Sequence, residues 1–160
     1  MFNQFGSTHT IVDVAGFYTS DPGHLAYYPL TPTRVLDTRN ATNTWMGSTT
    51  PIGAASTYNV RLGETTTTTT GIITAPANAA AIVFNLTAVT PTMSTYLTVY
   101  TDPPSTVPPN TPPLASNLNA AAASIVPNLV IARLATSRLI GIYNRFGSTP
   151  VIADLAGYYA

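Results

Sequence analysis

His9 and His24 are the only histidines of this 160-residue chain, and Asp13, Asp21, Asp37, Glu64, Asp102 and Asp154 are its only carboxylates. These are the residue types from which metal ligation, a Ser-His-Asp relay or paired-carboxylate hydrolysis would be built. Their spacing builds none of them. Asp13 follows His9 by four positions, which along a strand is ~13 Å and too far for a shared metal. No Gly-x-Ser-x-Gly elbow, phosphate loop or calcium loop is present. The chain has no cysteine, which excludes thiolate nucleophiles, disulfides, zinc-thiolate sites and iron–sulfur clusters. The expectation is a protein that is not an enzyme and carries no metal and no cofactor.

One charged cluster does have a readable pattern. Arg34, Asp37 and Arg39 lie within six residues around a Val-Leu pair, and Asp154 sits among apolar neighbours in a segment of strand character. A carboxylate placed among apolar side chains is costly unless it is paired. A structural ion network of Arg34 or Arg39 with Asp37 or Asp154 is therefore expected. Among the aromatic residues, Trp45, Tyr96 and Tyr100 are candidates for stacking on a sugar ring, against the more ordinary role of aromatic residues in cores and interfaces.

These residues sit in an unusual chain. Only 8% of the residues are charged while 45% are apolar, the formal net charge is zero, and every cation is an arginine. An ordinary soluble domain carries roughly 25% charged residues. No basic patch exists to neutralise a run of phosphates, so a nucleic-acid partner is excluded. No apolar run is long enough for a membrane span, and the first residues lack the regions of a signal peptide. Threonine, tyrosine and proline abound where surface helix formers are almost missing, which favours strands and turns over helices. The alanine-rich run 119–124 is too short for a helix of its own.

Strand-length apolar segments recur between proline, glycine and asparagine punctuation, the rhythm of an all-β sandwich. Expected strands are Thr10–Tyr18, Thr33–Asp37, Ser56–Arg61, Ala80–Ala88, Thr95–Tyr100, Ser116–Leu118, Asn128–Ala132, Leu139–Asn144 and Val151–Tyr158, with Thr65–Thr70 as a further one. Ala80–Phe84 and Val130–Ala132 do not alternate, so they are expected between two layers or under a neighbouring chain. Six prolines in Asp102–Pro113 make that stretch a stiff surface connection.

The most informative pattern joins the two ends. Asn3–Tyr18 aligns without a gap on Asn144–Tyr159, at an offset of 141 and with ten of sixteen positions identical. A match of that quality is an internal repeat. The chain thus opens with a copy of its own closing segment. An apolar strand alone would leave an aggregation-prone edge, so the copy must pair with this domain's sheet or with that of another subunit. The expected assembly strand is Thr10, Ile11, Val12, Asp13, Val14, Ala15, Gly16, Phe17 and Tyr18. The expected organisation is a connecting or donor strand at 1–20, copying 143–160, and a β-sandwich domain at 21–160.

Pro29–Arg39 (PLTPTRVLDTR), Val83–Thr92 (VFNLTAVTPT), Thr95–Tyr100 (TYLTVY), Ala115–Asn119 (ASNLN), Val126–Val130 (VPNLV) and Val151–Tyr159 (VIADLAGYY) together resemble a β-rich module. That module occurs in tandem in secreted and cell-surface proteins of actinobacteria, Chloroflexi and related soil bacteria. The resemblance runs from about Tyr28 to Ala160. It implies an extracellular or cell-surface location and an accessory role, and it brings no catalytic residues with it. The combined expectation is a jelly-roll-like sandwich with an extra N-terminal strand. It would act as a structural subunit that associates with copies of itself head to tail, as a filament, through N-terminal strand complementation. The alternative is a carbohydrate- or cell-wall-binding accessory module with a polysaccharide partner.

Overall fold

The computed structural model describes residues 5–7, 9, 12, 14, 16–21, 23–42, 49–61, 75–101, 112–134, 136 and 138–160. Among them the chain is all-β, with eight strands and no helix. The strands are β1 (Tyr27–Asp37), β2 (Ser56–Arg61), β3 (Ala81–Val89), β4 (Thr95–Thr101), β5 (Leu118–Ala120), β6 (Ile125–Arg133), β7 (Leu139–Asn144) and β8 (Val151–Tyr159). They form two antiparallel four-stranded sheets, in the order β1-β8-β3-β6 and β2-β7-β4-β5. The pairing is nested: first strand with last, second with seventh, third with sixth, fourth with fifth.

Side-chain alternation turns one face of each sheet inward. Phe84, Ile82 and Leu86 of β3, Leu36 of β1 and Leu155 of β8 meet Leu97 of β4 and Ile140 and Ile142 of β7, all fully buried. Burying each such side chain contributes about 1.5–3 kcal/mol. Prolines fall where a ladder tolerates them: Pro29 in β1 and Pro127 in β6 lie on the two edge strands of their sheet. β1 also carries two register shifts, between Pro29 and Thr33 and between Arg34 and Leu36.

Both sheets use the same packing device on their outer faces. A Cβ on Gly141 of β7 would stand 2.8 Å from the ring of Tyr100, and one on Gly157 of β8 would stand 2.5 Å from the ring of Tyr27. In each case a tyrosine lies flat across the neighbouring strand, and only glycine leaves it room.

Several elements depart from the sequence reading. The alanine-rich run 119–124 ends β5 and turns into β6, with Ala123 at φ 58° and Ser124 donating to the Ala121 carbonyl. β5 covers Leu118–Ala120 instead of Ser116–Leu118. Val130 and Ala132 are buried as expected of the core, but Leu129 and Ile131, on the opposite face of β6, are exposed. Of the expected N-terminal strand, Val12, Val14, Gly16, Phe17 and Tyr18 carry no strand pairing within this chain. Thr10, Ile11, Asp13 and Ala15 lie outside the described residues, as do Thr65–Thr70 and residues 102–111.

Candidate functional site at the closing strand

β8 holds the central place in its sheet, hydrogen-bonded to β1 on one side and β3 on the other. Val151, Ala153 and Leu155 point into the core, whereas Asp154 turns to the outer face beside Arg34. The antiparallel register of β1 on β8 puts Arg34 opposite Asp154, and the geometry is bidentate. Arg34 Nε donates to Asp154 Oδ1 at 2.8 Å and Nη2 to Oδ2 at 3.2 Å.

The same guanidinium reaches Asp37 Oδ2 at 3.4 Å. Arg39 clamps Asp37 from the other side, with Nε to Oδ1 at 2.9 Å, Nη2 to Oδ2 at 2.7 Å and its own backbone N–H to Oδ1 at 3.0 Å. The structure thus brings Arg34, Asp37, Arg39 and Asp154 together in one chain of charge. Asp37 is fully buried, and the hydrogen bond from Arg39 holds its carboxyl below the usual carboxylate range. The partner carboxylates in turn raise Arg34 and Arg39 above their ordinary values. Every carboxylate of the network is paired to an arginine, which is the arrangement of a structural joint.

The turn that leads into β8 is organised by a residue the sequence reading passed over. Asn144, fully buried at the end of β7, donates its amide to the carbonyls of Ile52 (2.9 Å), Gly53 (3.1 Å) and Gly147 (3.0 Å). Its Oδ1 accepts from the hydroxyls of Thr95 (2.8 Å) and Thr149 (3.1 Å). One side chain therefore ties β7, the strand-like Ile52 segment, the start of β4 and the β7–β8 turn into a single point. Gly147 stands at φ 59°, and a Cβ there would come within 3.0 Å of the Met93 backbone nitrogen. The signal for both was in the repeat: Asn144 and Gly147 recur as Asn3 and Gly6, and Gly6 also has a positive φ of 68°.

The far end of β8 is a cluster of tyrosines. Tyr28 stacks on Tyr158 with centroids 5.1 Å apart, and Tyr27 lies 5.3 Å from Tyr159 while donating to the Ala156 carbonyl. A reciprocal pair of backbone bonds between Ala26 and Ala160 closes the ladder. Here the N-terminal segment touches the body: the hydroxyls of Tyr18 and Tyr159, equivalent residues of the two copies, share a 2.8 Å hydrogen bond. That bond is the chief reason the Tyr159 phenol is pushed up to about 12. Among the described residues of the segment, exposure is 68% for Val12, 88% for Val14 and Phe17 and 81% for Tyr18.

Of the three candidate stacking residues, Tyr96 and Tyr100 lie on the same face of β4, each against different neighbours. Tyr100 lies over Gly141 with its hydroxyl 3.0 Å from that of Thr57. Tyr96, four positions earlier on β4, packs at 55° to Tyr143 and edge-on to Phe146, and Trp45 lies outside the described residues. His24 lies 3.6 Å from Asp21, in the open, and among the described residues no three metal-ligating side chains converge. No helix among the described residues is long and apolar enough to cross a membrane.

No protein-family model matches the chain, and no curated protein matches it.

Proposed function

We propose that this protein is a structural subunit of an extracellular or cell-surface bacterial assembly, whose copies join head to tail into a filament through the N-terminal segment 1–20. The nested strand pairing is read as a jelly-roll wrap, a body suited to serve as the repeating unit. One observation carries the reading. The segment that repeats the buried closing strand in sequence leaves Val12, Val14, Phe17 and Tyr18 largely in solvent. Such a stretch of exposed apolar side chains marks a contact surface.

Two further observations support it. Ile125 and Leu129 add an exposed apolar stripe on the edge strand β6, where a neighbour would bury it. The very low charge also suits a surface covered by other subunits, since interface cores are depleted of charged residues. Contacts that repeat head to tail without closing give filaments.

The test is negative-stain electron microscopy of the purified full chain beside a variant lacking residues 1–20. Filaments from the full chain and none from the truncated one are expected. Equal assembly by both would refute the reading.

A further inference from the structure

Residues 3–18 repeat a closing segment whose C-terminal copy sits between β1 and β3 of this body. Of the ten positions identical between the copies, several have a stated mechanical role in the C-terminal copy. Asn144 gathers carbonyls and hydroxyls from three other parts of the body, Asp154 takes the Arg34 fork, and Gly157 makes room for the Tyr27 ring. Their counterparts Asn3, Asp13 and Gly16 are the same residue types.

In this chain those roles are already filled. Arg34 is held by Asp154 through both arms of its guanidinium, and the Thr95 hydroxyl, with the carbonyls of Ile52 and Gly53, is held by Asn144. Gly16 shows the mismatch most directly. Its φ lies outside the left-handed region, and among the described residues a Cβ added to it would meet no atom within 4 Å, whereas one on Gly157 would meet Tyr27 at 2.5 Å. The glycine at 16 answers to a ring that this body has already placed over Gly157.

We propose that residues 3–18 are a closing segment for the place between β1 and β3 of a second body of this fold, one whose own β8 is absent or displaced. This deepens the assembly reading above and rests on it. The partner is therefore a second copy with its β8 displaced, or a body of this fold without one, and not a closed body accepting an edge strand. It is a β1–β7 body that presents an arginine at the Arg34 position, a tyrosine at the Tyr27 position and the Thr95 hydroxyl. The copy then enters as β8 does, with the Val12 and Val14 positions facing the core where Ala153 and Leu155 do here and Asp13 on the outer face. Edge addition would call for none of Asn3, Asp13 or Gly16.

The full chain supplies its own test, because a defect in β8 opens the place while leaving the copy intact. Leu155 is buried in the core, and its counterpart is Val14. L155D prevents β8 from seating, since a carboxylate cannot enter that core unpaired. The eight residues 19–26 between the copy and β1 are enough for the copy to seat within its own chain as well as in another.

Thermal melts followed by far-UV circular dichroism compare L155D with L155D/V14D. The expected result is a cooperative β-sheet melt for L155D and its complete loss in the double variant. An L155D variant as unfolded as the double variant, or a double variant that melts as L155D does, overturns the proposal. Light scattering on the unmodified chain separates the two readings. A chain that stays monomeric at every concentration refutes the assembly reading and with it the second body, while rescue in L155D would still assign the copy to the β8 place. An unmodified chain that assembles, beside an L155D that does not fold, refutes the assigned place alone.

Discussion

Asp154 and Asn144 show how single residues set this fold. Asp154→Ala removes both arms of the Arg34 fork, at a half-exposed site where solvent weakens each bond. A loss of about 1–2 kcal/mol in chemical denaturation is expected. Asn144→Ala strips five hydrogen-bond partners of a fully buried side chain and leaves carbonyls and hydroxyls unanswered, so about 3 kcal/mol or more is expected from the same measurement. Asp37 gives the pH dependence its sign. Its folded value lies below the unfolded one, so its ionised form stabilises the fold above about pH 4, and that contribution disappears as pH falls through the folded value. The melting temperature is expected to drop on acidification from about pH 5 towards 2, and Asp37→Asn is expected to flatten that slope. Tyr159 works the opposite way: raised to about 12, it favours the fold below the ordinary tyrosine value and ceases to as pH climbs through its own. In Tyr18→Phe, phenolate absorbance is expected to show one tyrosine titrating earlier. The charged cluster was legible in sequence because Arg34, Asp37 and Arg39 are near neighbours and Asp154 stands among apolar residues. Asn144 was marked only by its recurrence as Asn3, and its role was not legible, since three of its five partners are 49 to 92 residues away and the other two are placed only by the turn's final shape.

At the scale of elements, strand rhythm was the legible part. β2, β3, β4, β7 and β8 follow the apolar runs between proline and glycine closely, because alternation fixes which side of a strand faces the core. Pairing order left no such local trace. β1 finds β8 across the whole chain, and the tyrosine–glycine packing of Tyr27 with Gly157 and Tyr100 with Gly141 exists only once the registers are set. The short β5 was misplaced by two residues because its pairing with β4, opposite Thr95–Leu97, decides its bounds instead of its own composition. The β7–β8 turn is the element with the least freedom. Gly147→Ala meets both a left-handed backbone and the Met93 nitrogen, and a loss of about 1–2 kcal/mol is expected in denaturant titration, with the sheets themselves preserved by circular dichroism.

For the whole molecule, the repeat matters more than any motif. The closing segment occurs twice in these 160 residues, the body described here seats the C-terminal one, and the N-terminal one keeps the residue types that make closure work. Low charge, an exposed apolar stripe on β6 and the exposed Val12, Val14, Phe17 and Tyr18 then fit the proposed account, in which the copy takes the β8 place of a neighbouring body whose own closing strand is displaced. Hydrogen exchange on the full chain across a concentration series tests that account most directly, because amides of a seated strand exchange far more slowly than those of an exposed one. The amides of Val12, Val14, Gly16 and Phe17 are expected to exchange rapidly in dilute solution and to approach the protection of β8 as the protein assembles. Assembly that proceeds while those four amides keep exchanging as fast as in a free peptide would contradict it.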